Sequence, residues 1–478
     1  MERVKHIVVL MLENRSFDHM LGHLAHNGLD PIAESHQNEL VVRGHQLPPF
    51  KSHALKGGAD ITVDPAHSHR EVTRQLTGKV GDLVHDQIDM SGFVQSYYKG
   101  MKSTYDRLNV PLYIDDVAEI MGYQTANTVP VLSRMAKQFT TCTRWFSSVP
   151  GETFPNRLFA HGAQSAGRVS RLRGRQGLQY EHSTTFSTLS KHRIPWAVYA
   201  GDVPQAAVYA DLNDAFKNRF NRLSEFFDDV RQNRLPAYSF LEPRHFVGCD
   251  SQHPPHGVGP GEQLLARVYT ALVSNRRVWE SVLFLVVWDE HGGFFDREKP
   301  PLTTPPIPGQ QAADATFGFD ILGVRVPAVV VSPFVEAGSV SPTVFDHSCI
   351  VRTVFDAFDI PGHLTERDKH AASLLPLLTR ESPRDPPSPA RRSLVVQGDA
   401  DTIDGTPPVV VLDDFQQSLI ELAHSYDERR SAAPTRALAA PGMAPGIALE
   451  RLVGNFQRDH LGSAARRREE DELWVASR

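Results

Sequence analysis

An apolar run in the second half of the chain ends abruptly in charged residues. Residues 283–288, Leu-Phe-Leu-Val-Val-Trp, are followed at once by Asp289-Glu290-His291 and then by Gly292-Gly293. A short run that is apolar throughout is typical of a strand buried on both faces, as in the parallel sheets of α/β proteins. Ligand sites in such proteins lie at the carboxyl ends of the strands. The pattern therefore predicts a buried strand that delivers two carboxylates to a site at the edge of a parallel sheet.

The beginning of the chain repeats this design. The apolar segment 6–12 stops at Glu13-Asn14, which is followed by the turn-like segment 15–18, Arg-Ser-Phe-Asp. Carboxylate and amide oxygens are ligands for hard cations. Two strands that end in such ligands, far apart in sequence, suggest one cation-centred active site. Acidic residues also end strands simply where a chain emerges into water, and either end taken alone fits that alternative better.

Composition excludes several classes of protein. With 478 residues the chain can form one large α/β domain with an appendage, or two to three average domains. Its 41% hydrophobic and 22% charged residues are those of a soluble globular protein. A net charge of −6 leaves no basic excess to bind a polyanion, so we expect no nucleic-acid partner.

No window approaches ~20 uninterrupted apolar residues, so no transmembrane helix is expected. Charged Glu2-Arg3 follows Met1 directly, which is not the pattern of a secretory leader. We therefore expect a cytoplasmic protein. Cys142, Cys249 and Cys349 have no CxxC spacing, which fits a reducing compartment and argues against a thiolate metal site.

Strand-like and helix-like segments alternate up to about residue 378, as in α/β proteins. We therefore predict a catalytic domain over 1–378, a proline-rich linker over 379–411 and an accessory helical tail over 412–478. The tail is a candidate for an oligomerisation segment, and its charge run 466–472 is typical of a solvated helix face. The predicted strands, beyond the two already described, are 196–200, 237–241 and 326–331, and the predicted helices are 127–138, 222–232, 262–275 and 348–358.

A third chemical motif is the turn 147–157, in which Pro150, Gly151 and Pro155 surround Thr153. The prolines and the glycine predict a rigid turn that presents the hydroxyl at a fixed angle, with a helix starting near Asn156. Such a hydroxyl acts as a nucleophile when a cation lowers its pKa and a helix N-terminus favours an anionic substrate. The alternative is a proline-braced turn without a chemical role.

The chain has 22 histidines, so most of them have no catalytic role. His67, in Asp-Pro-Ala-His, and His253, in Gln-His-Pro-Pro, stand in loops that neighbouring prolines fix. Fixed imidazoles can stabilise a charged phosphoryl oxygen or protonate a leaving alkoxide. His347, at a predicted helix start, either does likewise or caps the helix, and His291 is a further candidate for a supporting role.

Together these motifs resemble a known family, the bacterial phosphoesterases that include non-haemolytic-type phospholipases C and an acid phosphatase branch. The resemblance covers roughly residues 5 to 377. The motifs that carry it are Glu13 to Asp18, Asp64-Pro65-Ala66-His67, Met90 to Val94, Met121-Gly122-Tyr123, Pro150 to Arg157, Glu242-Pro243-Arg244, His253-Pro254, Asp289 to Gly293 and Asp346-His347.

The resemblance implies the fold of the alkaline-phosphatase superfamily, a large, mostly parallel sheet between helical layers. It also implies that Thr153 is both a metal ligand and the nucleophile, and that His67 and His253 contact the phosphoryl group. The implied metal ligands are Glu13, Asn14, Thr153, Asp289 and Glu290. Because all of these ligands are oxygens, Ca²⁺, Mg²⁺ or Mn²⁺ is favoured over Zn²⁺.

The favoured function is a phospholipase C-type phosphodiesterase in which Thr153 attacks in line and water hydrolyses a phosphothreonine intermediate. The alternatives are a phosphomonoesterase with the same site and a catalytically silent binding protein. Two features depart from the family. Glu152 replaces a small residue or proline and could weaken binding of dianionic substrates, and the tail does not resemble the lipid-oriented domains of the larger phospholipases. The expected partner is a phosphoester, with a phospholipid as one candidate, and members of this family are often exported.

Overall fold

The computed structural model of the protein describes residues 3–56, 61–170, 180–209, 212, 219–246 and 248–387, together with short pieces of 416–423 and 453–461. In this part of the chain the main element is an eight-stranded sheet. Its strands are β1 (His6–Leu12), β2 (Thr140–Trp145), β3 (Trp196–Ala200), β4 (Phe220–Arg222), β5 (Tyr238–Glu242), β6 (Val282–Trp288), β7 (Ala328–Val331) and β8 (Val340–Phe345).

The strand order across the sheet is β4-β3-β5-β1-β6-β7-β2-β8. Strand β7 is antiparallel to both of its neighbours, and every other pair of neighbouring strands is parallel. The fold is therefore the predicted α/β class with a mostly parallel sheet. The predicted strand 326–331 is shorter than expected and is the antiparallel one.

Strands β1 and β6 lie side by side at the centre of the sheet, in a register that pairs Leu12 with Trp288. All residues of β1 except His6, and all residues of β5 and β6, are buried. Because successive side chains point to opposite faces of a strand, both faces of the central sheet are covered. Each aliphatic side chain buried in this way contributes ~1.5–3 kcal/mol to stability.

The helices that cover the sheet form two groups by their main contacts. The α-helices of the described residues up to 387 are α1 (Phe17–Leu21), α2 (His69–Thr77), α3 (Phe93–Leu108), α4 (Pro130–Gln138), α5 (Thr153–Gly162), α6 (Thr185–Lys191), α7 (Leu223–Arg231), α8 (Gly259–Ser274), α9 (Arg276–Trp279), α10 (Ser348–Ala357) and α11 (Glu366–His370). Helices α5, α6, α10 and α11 belong to one group, and α4, α7, α8 and α9 to the other.

Helix α5 begins at Thr153 rather than near Asn156, so the sequence-based start was wrong by three residues. Glu152 has the extended backbone of an N-cap residue, with φ −74° and ψ 170°. Pro155 therefore falls in the first turn, where no intrahelical partner is needed for a backbone N–H. Thr153 is consequently the first residue of the helix and not part of the turn before it.

Residues between α1 and α4 build a second hydrophobic core. This core unites side chains of α2 and α3, such as Leu76 and Phe93, with Phe294 and Phe295 after β6. The alternation of strands and helices in the sequence did not predict this core, because its short strands have only two residues each. The segment that carries His67 belongs to this part of the protein.

The described pieces of the predicted tail are helical, and Leu419, Leu422 and Phe456 are buried against the main core. Gln457 Nε2 also donates to Gly201 O at 2.7 Å. In the first part of the predicted linker, the Arg384 carbonyl accepts a hydrogen bond from Trp279 Nε1 at 2.9 Å. Residues 388–411 and the charge run 466–472 lie outside the described residues, and the boundaries at 378 and 411 stay predictions.

Candidate active site

The two acidic strand ends lie together at one edge of the sheet. Asn14, directly after β1, donates its backbone N–H to Asp289 Oδ1 at 2.9 Å, and Asp289 donates its own N–H to Leu12 O at 3.1 Å. Glu13, Asn14, Asp289 and Glu290 are all buried. The parallel pairing of β1 with β6 explains this arrangement, because it brings both carboxyl ends to the same place.

Gly292 and Gly293 allow this close approach. Both have left-handed backbones, with φ of 61° and 76°. A Cβ on Gly292 would lie 2.2 Å from Asn14 O, and a Cβ on Gly293 would lie 2.7 Å from the side chain of Pro65. Such distances are too short for non-bonded atoms, so only glycine fits at either position. The pair therefore lets the end of β6 pack against the end of β1 and against the loop that carries His67.

Thr153 is buried beside the first strand end. Its hydroxyl donates towards Glu13 Oε2 and Asn14 Oδ1, both at 3.3 Å. The turn before it is held by Asn156, whose side-chain amide accepts from Val149 N at 3.0 Å and donates to Glu152 O at 3.0 Å. As the first residue of α5, Thr153 also lies where the partial positive charge of a helix N-terminus favours an anion.

Arg157 places a buried positive charge beside the carboxylates of the site. Its guanidinium forms an ion pair with Glu13 Oε1 and donates to Met11 O at 3.0 Å, and its Nε lies 3.9 Å from Asp289 Oδ2. Burial lowers the pKa of Arg157, but Glu13, Asp289 and Glu242 outweigh that effect and raise it. The sequence showed Arg157 in the proline turn but gave it no role, because nothing in the sequence places it against Glu13.

The chemistry of these groups fits a hard divalent cation. Asp289 Oδ2 and Glu290 Oε1 are buried and accept no hydrogen bond within the described residues. A buried carboxylate oxygen without a donor is costly, and a bound cation removes that cost. Within the same residues, however, no three His, Cys, Asp or Glu side chains converge as a ready metal-binding cluster. The predicted ligands therefore share one edge of the sheet without forming a closed shell of acids.

His67 and His253 face each other beside this edge, with ring centroids 5.9 Å apart. Each ring is fixed by its own loop: Nδ1 of His67 donates to Pro65 O at 2.8 Å, and Nδ1 of His253 donates to Pro254 O at 2.6 Å. His67 Nε2 lies 3.4 Å from Asn14 Nδ2. These are the proline-fixed imidazoles that the sequence predicted, and the structure brings both to the acidic edge.

Burial lowers the pKa of His67, but the carboxylates of Glu290, Asp64 and Glu152 outweigh it and raise this pKa to about 10. Burial raises the pKa of Glu290, but its interactions with His67 and His291 outweigh burial and lower this pKa below the ordinary value. His67 and Glu290 thus stabilise each other's charged forms. A cationic His67 suits contact with an anionic phosphoryl oxygen.

His291 and His347 hold the two acids in place. His291 Nδ1 lies 3.2 Å from Glu290 Oε2, and its Nε2 donates to Gln75 Oε1 at 2.8 Å. His347 Nδ1 accepts from Trp145 Nε1 at 3.2 Å, and its Nε2 donates to Asp289 O at 2.5 Å. His347 is the N-cap residue of α10, as its predicted place at a helix start implies, but its side chain makes no capping hydrogen bond. Sequence reasoning missed Gln75 and Trp145, which lie far away along the chain.

A mostly parallel α/β sheet gathers buried carboxylate and amide oxygens, a hydroxyl and two fixed imidazoles at its carboxyl edge, and these groups suit the hydrolysis of an anionic ester. The comparison with protein families agrees with this class. The family model described as "Phosphoesterase family" matches residues 4–361, and the chain belongs to that family. The protein is accordingly a hydrolase that acts on phosphoric esters, and the resemblance inferred from the sequence motifs is confirmed.

Curated relatives match most of this chain. Non-specific phospholipase C3 of Arabidopsis thaliana is 30% identical over 446 residues, covering 88% of this chain and 82% of that protein. Non-specific phospholipase C1 of the same plant is 32% identical over 409 residues, covering 80% and 72%. Phospholipase C B of Mycobacterium tuberculosis is 29% identical over 433 residues, covering 81% and 80%.

Similarity to solved structures is weaker. A protein in the alkaline phosphatase superfamily from Vibrio parahaemolyticus is 10% identical with a TM-score of 0.33, covering 51% of this chain and 64% of that one. A likeness of this size supports no statement about residues or activity. Within the described residues, no helix has both the length and the apolar character needed to cross a bilayer.

Proposed function

We propose that the protein is a phospholipase C-type phosphodiesterase with Thr153 as its nucleophile. The observation that carries the proposal is the position of the Thr153 hydroxyl, at the first residue of α5 and 3.3 Å from both Glu13 Oε2 and Asn14 Oδ1. A buried hydroxyl that faces metal-competent oxygens and a helix N-terminus has the surroundings that activate a nucleophile. The names of the curated relatives point to the same reaction.

The residues that would hold a divalent cation are Glu13, Asn14, Thr153, Asp289 and Glu290. When bound there, a divalent cation would lower the pKa of the Thr153 hydroxyl and polarise the phosphoryl group. The donors are oxygens only, so Ca²⁺, Mg²⁺ or Mn²⁺ is favoured over Zn²⁺.

Thr153 Oγ, after its hydroxyl proton has passed to water, attacks phosphorus in line, and the bond from phosphorus to the alcohol oxygen breaks. His67, held in its charged form by the surrounding carboxylates, stabilises the phosphoryl oxygens, and His253 is placed to protonate the departing alkoxide. Water then hydrolyses the ester bond of Thr153 and releases the phosphorylated head group.

Glu152 favours a diester over a monoester as substrate. It directly precedes Thr153, and its side chain makes no capping hydrogen bond to α5. Its charge also contributes to the raised pKa of His67, so the carboxylate acts on the space beside the nucleophile. A phosphate monoester carries up to two charges near neutral pH and a diester carries one, so repulsion by Glu152 penalises the monoester more. Phosphomonoesterase activity is the alternative that this argument disfavours.

A substrate panel tests the proposal. Hydrolysis of p-nitrophenyl phosphorylcholine and phosphatidylcholine should exceed that of p-nitrophenyl phosphate, and a chelator should remove activity that Ca²⁺ or Mn²⁺ restores. Preference for p-nitrophenyl phosphate would support the alternative.

The Thr153→Ala variant should lose turnover with the fold intact, and Thr153→Ser should keep part of it. Thr141→Ala is the matched control, because Thr141 is also buried but donates to Ala136 O at 3.2 Å, outside the site. Acid quenching of the reaction with p-nitrophenyl phosphorylcholine should leave phosphorylcholine attached to the peptide that contains Thr153. Near-wild-type hydrolysis by Thr153→Ala would refute the assignment of the nucleophile.

A further inference from the structure

We propose that residues 108–114, Leu-Asn-Val-Pro-Leu-Tyr-Ile, form a docking loop that inserts into a zwitterionic lipid surface. This inference rests on the proposed function, since it concerns how the enzyme reaches a substrate that is part of a membrane. The segment begins at Leu108, the last residue of α3, and ends at Ile114, the first residue of the 3₁₀ helix Ile114–Met121. We call it the apolar loop.

The first observation is the concentration of exposed apolar side chains. Leu108 is 63% exposed, Val110 50%, Tyr113 68% and Ile114 36%. The described chain has nine large hydrophobic side chains with comparable exposure, and four of them lie in these seven residues. Single exposed apolar residues are normal on a protein surface, whereas a contiguous group marks a binding surface or a membrane contact.

The second observation is that the loop is anchored, so its exposure is not the result of a free end. Asn109 is the C-cap of α3, with a left-handed backbone of φ 55°, and its backbone N–H donates to Asp106 O at 3.2 Å. Leu112, in the middle of the loop, packs against the second hydrophobic core together with buried Val117 and Ile120. The same short segment therefore packs one partly buried apolar side chain against the core and leaves four others exposed.

The third observation links the apolar loop to the active site. Tyr97 of α3 donates to Val63 O at 3.3 Å and also to the carboxylate of Glu119. Glu119, in the helix after the loop, accepts from the backbone N–H of Thr62 at 3.1 Å and from its hydroxyl at 3.0 Å. The elements on both sides of the loop thus hold residues 62–63, which precede His67 by only a few positions. A surface that seats the loop also fixes the orientation of the His67 segment.

The fourth observation is charge balance, which selects the kind of surface. Residues 99–116 contain three basic side chains, Lys99, Lys102 and Arg107, and three acidic ones, Asp106, Asp115 and Asp116. Lys102 and Asp106 are paired at 2.5 Å. A segment without net charge has no electrostatic attraction to an anionic membrane or a nucleic acid. Exposed aliphatic side chains beside a tyrosine instead suit the boundary between lipid head groups and acyl chains, where the phenol ring has one apolar side and one polar end.

Vesicle binding of the full-length protein tests the proposal. The wild type should sediment with phosphatidylcholine vesicles, and binding should change little when ionic strength is raised, because it does not depend on charge. The triple variant Leu108→Ser, Val110→Ser, Tyr113→Ser should bind about 10-fold or more weakly, given the apolar area that it removes. Leu302→Ser is the matched control, since Leu302 is 61% exposed but lies outside the loop, and it should bind as the wild type does.

Two activity assays separate this inference from the proposed function. The triple variant should hydrolyse phosphatidylcholine in vesicles more slowly, while its hydrolysis of p-nitrophenyl phosphorylcholine should equal that of the wild type. If neither protein hydrolyses the soluble substrate, the proposed function fails, and vesicle binding still reports on the loop.

A single substitution covers the case in which the triple variant does not fold. In the presence of vesicles, fluorescence of the Tyr113→Trp variant should be quenched by brominated phosphatidylcholine more strongly than that of the wild type. Equal vesicle binding by wild type and triple variant, no binding by the wild type, strong loss of binding at high ionic strength, or the absence of extra quenching would each overturn lipid insertion by this loop.

Discussion

Replacement of Arg157 by methionine tests the role of the buried guanidinium that pairs with Glu13. Methionine keeps an unbranched side chain of similar length but removes the charge and all donors. In the native protein Arg157 pairs with Glu13, donates to Met11 O at 3.0 Å and lies 3.9 Å from Asp289. The variant therefore leaves two buried carboxylates without their shared positive partner.

The magnitude follows from the complete burial of these side chains, each of which has no exposed surface. Removing one partner of a buried ion pair costs about 3–5 kcal/mol, because the remaining charge is left in the protein interior. Glu13 also accepts the Thr153 hydroxyl at 3.3 Å, so its displacement would misplace the nucleophile. We expect a loss of about 10²-fold in turnover from that misplacement.

Urea unfolding followed by tryptophan fluorescence measures the free energy of unfolding, with chelator and with added Ca²⁺. Arg157→Met should be less stable in chelator and should recover more on addition of the cation than the wild type does, because the cation replaces part of the lost charge. Arg231→Met is the matched control, since Arg231 pairs with Asp228 at 2.7 Å on the surface, where an ion pair contributes little. If Arg157→Met lowers the free energy of unfolding in chelator by less than about 1 kcal/mol, the size expected of a surface ion pair, the role given to Arg157 is refuted.

Three further predictions concern the histidines, the metal and pH. His67→Asn and His253→Asn should each lower turnover by about 10²- to 10⁴-fold with metal content unchanged in elemental analysis; loss of metal would place that histidine among the ligands. Asp289→Asn should lose bound metal and activity together, and a variant that keeps both would remove Asp289 from the site. Burial raises the pKa of Glu262 to about 8 from the ordinary 4.5, despite hydrogen bonds from backbone N–H groups of α4. The folded protein therefore resists ionisation of Glu262, so its contribution to stability is greatest below pH 4.5 and is lost as pH rises towards 8. In the Glu262→Gln variant, stability should decline less as pH rises across that range, as measured by thermal unfolding. An unchanged pH profile would contradict the burial argument.

The sequence predicted the parts of the site that depend on local patterns. Apolar runs ending in Glu13-Asn14 and Asp289-Glu290 were sufficient to predict two neighbouring strand ends, because parallel strands share a carboxyl edge. The prolines beside His67 and His253 predicted fixed imidazoles, because a proline restricts the backbone next to it.

Features that depend on contacts between distant segments were not predictable in this way. In the sequence, Arg157 is one more charged residue in a turn. Its role depends on its contact with Glu13, which lies 144 positions earlier in the chain. Gln75 and Trp145, which hold His291 and His347, have no motif around them at all. The second core was not predicted, because its strands of two residues have no measurable periodicity. Its apolar side chains also come from segments that are far apart in the chain.

The second core separates two tasks along the chain. In the proposed mechanism, bond breaking is assigned to the groups at the sheet edge, Thr153 and the acids after β1 and β6, whereas the segment between α1 and α4 supplies His67 and its supports. That segment is a long insertion between strands β1 and β2. Its length and composition can therefore change without moving the strands. Under the proposed mechanism, variation there would change which esters are accepted while Thr153 and the acids stay as they are. An engineered library confined to residues 32–121 is accordingly the economical way to alter the substrate range of this enzyme.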